Sequence, residues 1–173
     1  MKLCNLHELS ALLEKGQSLL GLDYGSKVIG VAVSDPNLRI ASPLTAITRK
    51  KFAVDMAELV AIMRTRSIGG IVLGLPKNMD GSEGASAQAA RAFIRNLSQN
   101  TQDFPAAMPV AFWDERLSTA AVERFLISDD VSRKRRDAII DKTAAAYILQ
   151  GALDAIQNGL PTGNPPISKT TKS

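Results

Sequence analysis

The sequence predicts an α/β protein, a mixed sheet covered by helices on both faces. Three observations lead there. Two short apolar runs, residues 19–22 and 28–33, flank a tight polar link, Asp23-Tyr24-Gly25-Ser26-Lys27. A third apolar run at 44–48 completes a meander. Beyond it, two more apolar runs alternate with stretches of helical period, the signature of parallel strands joined by crossover helices. The length, 173 residues, suits one domain.

Each element has its own warrant. Residues 6–15 set Leu6, Leu9, Leu12 and Leu13 at helical spacing and meet a stop at Gly16. They form a short amphipathic helix in an N-terminal extension, 1–18. Strands one and two follow, and Gly25 supplies a positive φ for their turn. Pro43 precedes strand three, and the cluster Arg49-Lys50-Lys51 ends it. Residues 52–66 place Phe52, Met56, Leu59, Val60 and Met63 on one helical face. Strand four, 70–73, is opened by Gly69-Gly70 and closed by Gly74. Residues 74–84 read as a loop by their Pro, Asn and Asp-Gly content. A helix over 85–100 presents Ala89, Ala92, Phe93 and Leu97. Strand five, 110–113, runs into Asp114-Glu115-Arg116. Ser118 can cap a helix over 119–127. A polar loop, 128–137, carries Arg133-Lys134-Arg135-Arg136, and a last helix covers 137–158. The domain proper is therefore 19–158. The tail, 159–173, is rich in Pro, Thr, Ser and Lys and reads as disordered.

Composition narrows the chemistry. Hydrophobic residues make up 45% and charged residues 22%, enough for a core without covalent staples. A single cysteine, Cys4, rules out an internal disulfide and fits a cytoplasmic setting. No apolar run nears the roughly 20 residues of a membrane span, and the N-terminus turns polar too early for a signal peptide. The net charge of +4 permits a polyanionic partner. His7 is the one histidine, in a helix where a solvated side chain is expected. A Ser-His-Asp or Cys-His site would have to use it, and a tetrahedral Cys/His zinc site is excluded. Catalysis must rest on carboxylates, Lys, Arg or hydroxyls.

Acids stand where the core should be. Asp23 ends strand one, where a carboxylate either caps its own turn or binds a cation. Asp114 and Glu115 end strand five. Strand alternation turns only one of them inward; Glu115 is the favoured ligand and Asp114 the alternative. Asp141 shares its helical face with Ala144, Ala145, Ile148, Leu149 and Ala152, so it follows the apolar stripe toward the sheet. Pairing with Lys134 or Lys142, or a cap at the helix start, would also satisfy it, and Glu115 can pair with Arg116. If strands one and five are parallel, Asp23 and Glu115 meet at the C-terminal edge, and the last helix can bring Asp141 to them. Three converging carboxylates call for a divalent cation, and all-oxygen ligation suits one or two Mg²⁺ or Mn²⁺ ions. Such a site can hydrolyse phosphodiesters. Asp35, Asp80 and Glu83 read as loop residues.

The first motif, Leu22-Asp23-Tyr24-Gly25-Ser26-Lys27-Val28-Ile29-Gly30-Val31-Ala32-Val33-Ser34-Asp35, resembles the opening of the YqgF family, RNase H-like nucleases related to the RuvC resolvases. Three further matches follow in family order. They are Gly74-Leu75-Pro76 with Asp80-Gly81-Ser82, then Asp114-Glu115-Arg116-Leu117-Ser118-Thr119, then Asp141-Lys142 with Ala144-Ala145 and Ile148-Leu149-Gln150. Together they span residues 19–153. Val28 departs from the Arg common at that place and touches no acid. The resemblance implies an RNase H-like fold with five strands in the order 3-2-1-4-5, strand two antiparallel. It implies Asp23, Glu115 and Asp141 as the metal-binding catalytic acids. It also selects the substrate: members of the family are described as pre-16S rRNA nucleases or as Holliday junction resolvases.

The remaining cations suit such a substrate. Arg133, Lys134, Arg135 and Arg136 can neutralise phosphates, or form a solvated loop. Lys27 and Arg116 flank the acids and can hold neighbouring phosphates. Tyr24 can stack on a base, whereas Trp113 reads as core. The 74–84 loop precedes a helix N-terminus, a place for a phosphate or an ordinary connection. The expected partner is nucleic acid, precursor rRNA before branched DNA, in a monomer or homodimer working on the assembling ribosome and not at a membrane. Two other classes of protein share part of this pattern. A non-catalytic ribosome- or transcription-associated binding factor would not need all three acids. An actin-like ATP-binding protein would need two copies of the fold.

Overall fold

The computed structural model describes residues 1–99, 107–117 and 133–159, with side chains throughout these segments except at 133–142. Among the described residues, six strands form one sheet: β1 (Lys2–Leu3), β2 (Ser18–Tyr24), β3 (Val28–Ser34), β4 (Ala41–Thr48), β5 (Ile68–Leu75) and β6 (Pro109–Asp114). Their order is β1-β6-β5-β2-β3-β4. The pairs β2–β3 and β3–β4 are antiparallel, while β2–β5, β5–β6 and β1–β6 are parallel. The expected order of five strands is present within it, and β3 is the antiparallel one. The correction is a sixth strand. Lys2 donates to the Met108 carbonyl and Cys4 to that of Val110, both at 2.9 Å, which extends the sheet beyond β6. Two residues carry too little pattern for periodicity to find them.

Four described helices cover the two faces: α1 (Leu6–Ala11), α2 (Phe52–Thr65), α3 (Ala85–Gln99) and α4 (Arg133–Asn158). Strand alternation divides the core. Leu20, Leu22, Ile71, Leu73, Val110 and Phe112 turn to α2 and α3. Leu19, Val72, Ala111 and Trp113 turn to α1 and α4. Among the described residues no helix is long and apolar enough to cross a membrane.

Several boundaries moved for physical reasons. Helix α1 stops at Ala11 rather than at residue 15, and Gly16 turns the chain with φ +89°. Its start is closed by a capping box, the Asn5 side chain accepting from Glu8 N–H at 2.9 Å and Glu8 answering at 3.2 Å. Asn5→Ala should cost about 1 kcal/mol. A melting curve matching wild type would mean that burial of Leu6 and Leu9 alone holds the helix. Strand β4 begins at Ala41, so Pro43 lies inside it, opposite Ala32 at a register shift. An edge strand tolerates a proline there. Gly69, Gly70 and Gly74 lie within β5 rather than bounding it, all in tight contact with neighbours. In α3, Ala87, Ala90, Phe93, Ile94 and Leu97 are buried, and Ala89 is exposed. Helix α4 starts at Arg133, so the basic run is its first turns and not a loop. The expected helix at 119–127 and the tail beyond residue 159 lie outside the described residues.

Candidate active site

Strand β2 delivers Asp23 to the C-terminal edge of the parallel strands. Asp23 pairs with Gly30 across the antiparallel ladder and shares the α4 face with Leu19 and Gly21 by alternation. The turn behind it closes tightly. Gly25 N–H donates to the Val28 carbonyl at 3.0 Å, and a Cβ on Gly25 would lie 2.7 Å from that oxygen. Glycine is needed here for space and not for a positive φ, which the backbone does not adopt.

Strand β6 sends Asp114 and Glu115 to different surroundings. Ala111 and Trp113 face α4, so Asp114 falls on the opposite side and the chain then turns into a short 3-10 helix, Glu115–Leu117. Asp114 is held by Arg116, whose Nη2 lies 2.6 Å from Oδ2, and by Lys77 at 3.8 Å. The Arg116 guanidinium keeps the Asp114 carboxyl below its ordinary range. Glu115 leans back over β5 into the space above Gly74, where a Cβ would collide with its Oε1 and come within 2.6 Å of Ile148 Cδ1. It is half-buried. Burial first, then the negative charges of Asp23 and Asp114, push its pKa up to about 7. Arg116 thus pairs with Asp114 and not with Glu115.

Asp141 is placed by the course of α4. Gln157 donates to the Leu38 carbonyl at 2.7 Å, below the end of β3. Higher up, the Ala145 carbonyl and Leu149 lie against Gly21 of β2, and Ile148 against Gly74 of β5. Asp141 is one helical turn beyond Ala145, about 6 Å further along the axis. Asp23 is two strand residues beyond Gly21, about 6.6 Å in the same sense. The Asp141 position therefore comes level with Asp23 on the face that carries Ala145 and Ile148.

Other expected site residues fall in different places. Lys27 is exposed in the β2–β3 turn, and Arg116 is exposed beside Asp114. Tyr24 is covered on both faces of its ring, stacked on Phe93 and under the Arg49 guanidinium, each 4.4 Å from its centroid. It is therefore closed to a base. Trp113 is buried, its ring against Gly151. Asp35 accepts backbone N–H groups of Asn37, Arg39 and Ile40. Asp80 caps Ser82, and Glu83 grips Arg91. Lys77 and Arg49 are site-edge residues that composition and spacing did not single out. Lys77 carried no signal, whereas Arg49 stands in a basic run directly after a strand.

The donor set fits a hard divalent cation. Two acidic side chains approach each other, burial and then the charge of Asp23 raise the Glu115 pKa, and the donors are oxygen only. Across known proteins, residues 17–155 match the family described as "RuvX: Holliday junction resolvase". The chain belongs to this family. Curated relatives extend the RuvX match. A protein of Rhodospirillum centenum is 54% identical over 159 residues, covering 92% of this chain and 85% of its own length. One of Ruegeria pomeroyi is 54% identical over 153 residues, covering 88% and 96%. Each is named "Putative pre-16S rRNA nuclease". Among solved structures, T. thermophilus RuvC in complex with a Holliday junction substrate superposes with a TM-score of 0.53 at 14% identity, over 82% of this chain and 96% of that one. At that identity the likeness establishes the shared fold.

Proposed function

We propose that this RuvX-family chain is a divalent-metal-dependent nuclease that hydrolyses phosphodiester bonds in structured nucleic acid, with precursor 16S rRNA as its substrate. The observation that carries the reading is the meeting of Asp23 and Glu115 at one edge of the sheet, with Glu115 pushed toward neutrality. Asp23, Glu115 and Asp141 would hold Mg²⁺ or Mn²⁺. When bound, the ion supplies an activated water and stabilises the departing oxygen. The chain's own groups do the rest. Asp114 fixes the Arg116 fork beside the acids, where it grips a phosphate next to the scissile one. Lys77 adds a second charge at the same corner. The run Arg133, Lys134, Arg135 and Arg136 lies within α4 and adds charge that a nucleic-acid backbone can take up. The setting is the cytoplasm.

The names of the curated relatives support RNA as the substrate. The family description supports a second reading, cleavage of four-way DNA junctions. One assay separates them. Purified protein with Mn²⁺ or Mg²⁺ meets a precursor rRNA fragment and a four-way DNA junction side by side. RNA cleavage alone is expected, and junction cleavage alone would replace the reading with the second. Asp23→Asn and Asp141→Asn should each lower the rate by about 10²–10³ or more, the scale of losing a group that acts in the transition state. Turnover within a few-fold of wild type in a folded variant would remove that residue from the site.

A further inference from the structure

We propose that Lys50 and Lys51, together with Lys27, form a second phosphate-binding track on the β4 side of the acids. The proposal rests on the nuclease reading above and extends its substrate contact beyond the scissile phosphate. Strand β4 runs parallel to β2 across β3, so its C-terminal end emerges at the edge that carries Asp23. There the last ladder pair is Val28 with Thr48. One step on, Arg49 N–H donates to the Lys27 carbonyl at 2.9 Å, which ties the β4 end to the β2–β3 turn.

Two anchors make this corner a fixed platform. Arg49 is spent internally. Its guanidinium bonds the Tyr24 hydroxyl at 2.6 Å and the carbonyls of Gly25 and Ser26 at 3.1 and 3.2 Å. Buried Asp55 accepts the Lys50 N–H at 3.0 Å. Lys27, Lys50 and Lys51 are exposed, and among the described residues none of them forms an ion pair. Three cations are thus held on rigid backbone with no acid consuming their charge, which is the setting that favours a polyanion.

Spacing defines what they hold. Arg116 and Lys77 lie at the β6 and β5 ends, on one side of Asp23, and the new cations on the other. From β2 to β4 is two strand spacings, about 10 Å. That span exceeds a single phosphate group, so the track meets the backbone beyond the scissile phosphate, within a few nucleotides of the cut. The ligand chemistry is a phosphodiester backbone, from RNA or from DNA.

The test compares wild type, a Lys50→Gln/Lys51→Gln double variant and a Lys2→Gln control on β1, at the opposite end of the strands. Binding of a long RNA hairpin and of a four-way DNA junction is titrated against salt in EDTA. Losing two phosphate contacts should flatten the slope of log affinity against log salt by about 1.4 to 1.8. The probe that shows the change identifies the backbone held. The control should match wild type. Hairpins progressively shortened on the track side should lose the difference once the backbone no longer reaches the track. An unchanged slope for the double variant on both probes would overturn the proposal, as would wild-type protein with no salt-dependent affinity for either. Because binding is read without metal, a wild type that binds and never cleaves defeats the nuclease reading while the slopes still decide the track.

Discussion

Glu115→Gln should destroy cleavage and, in metal-free protein above neutral pH, make the fold more stable. The carboxyl titrates near 7 in the folded chain against an ordinary 4.5. Between those values the folded state holds a proton that the unfolded chain has released. Stability therefore falls as pH rises from about 4.5 to 7, and the full penalty stands above 7. Two and a half units correspond to about 3 kcal/mol, which the solvent reaching this half-buried group reduces to about 1–3 kcal/mol. Gln keeps the shape and loses the charge. Thermal melts in EDTA should show the variant ahead of wild type at pH 8 and level with it at pH 4.5. A pH-independent gap would mean that Glu115 is not strained by its neighbours. Adding Mg²⁺ or Mn²⁺ should stabilise wild type by binding linkage and leave the variant behind. A residue that weakens the fold and is kept for its chemistry is an expected trade at such a site.

Gly21→Ala should produce a large loss of stability for the addition of one methyl group. Its Cβ would lie 2.6 Å from Leu149 Cβ and 3.0 Å from the Ala145 carbonyl oxygen. Both obstacles belong to the body of α4, and neither is a flexible side-chain tip. The helix must lift from the sheet, so the cost should reach about 3 kcal/mol or more, at the upper end for overpacking. Lifting α4 also carries the Asp141 turn away from Asp23. Urea unfolding should show a lower midpoint, and cleavage should fall further than the remaining folded fraction explains. A midpoint equal to wild type would show that α4 rides higher over β2 than described.

Asp23 and Asp114 stand out in the sequence because each ends an apolar run, and the alternation of strands and helices made the later strands legible as parallel. The strand order came from the resemblance, since spacing alone does not say which strands are neighbours. The rest depended on groups whose neighbours are distant in sequence. Gly69, Gly70 and Gly74 look like punctuation, and they are strand interior made bare by close neighbours. The division of labour between Asp114 and Glu115 needed the face of Trp113, which a six-residue strand cannot declare by itself. Tyr24 reads as a free aromatic until Phe93 and Arg49 are seen on its two sides. The start of α4 was missed because four successive cations resemble a solvated loop and carry no helical period. The N-terminal strand was missed because its warrant lies entirely in β6.

That small strand bears on fidelity of pairing. The pleat sends Asp114 and Glu115 to opposite sides, so a slip of β6 by one residue would turn each to the other face. Asp114 would then turn toward α4 and Glu115 away from it, and the contacts each now makes would be lost. On one flank β6 is aligned by β5, where Gly74 faces Trp113. On the other, Lys2 and Leu3 face Pro109 and Val110. The first residues of the chain act as a reading frame for the strand whose end carries Glu115.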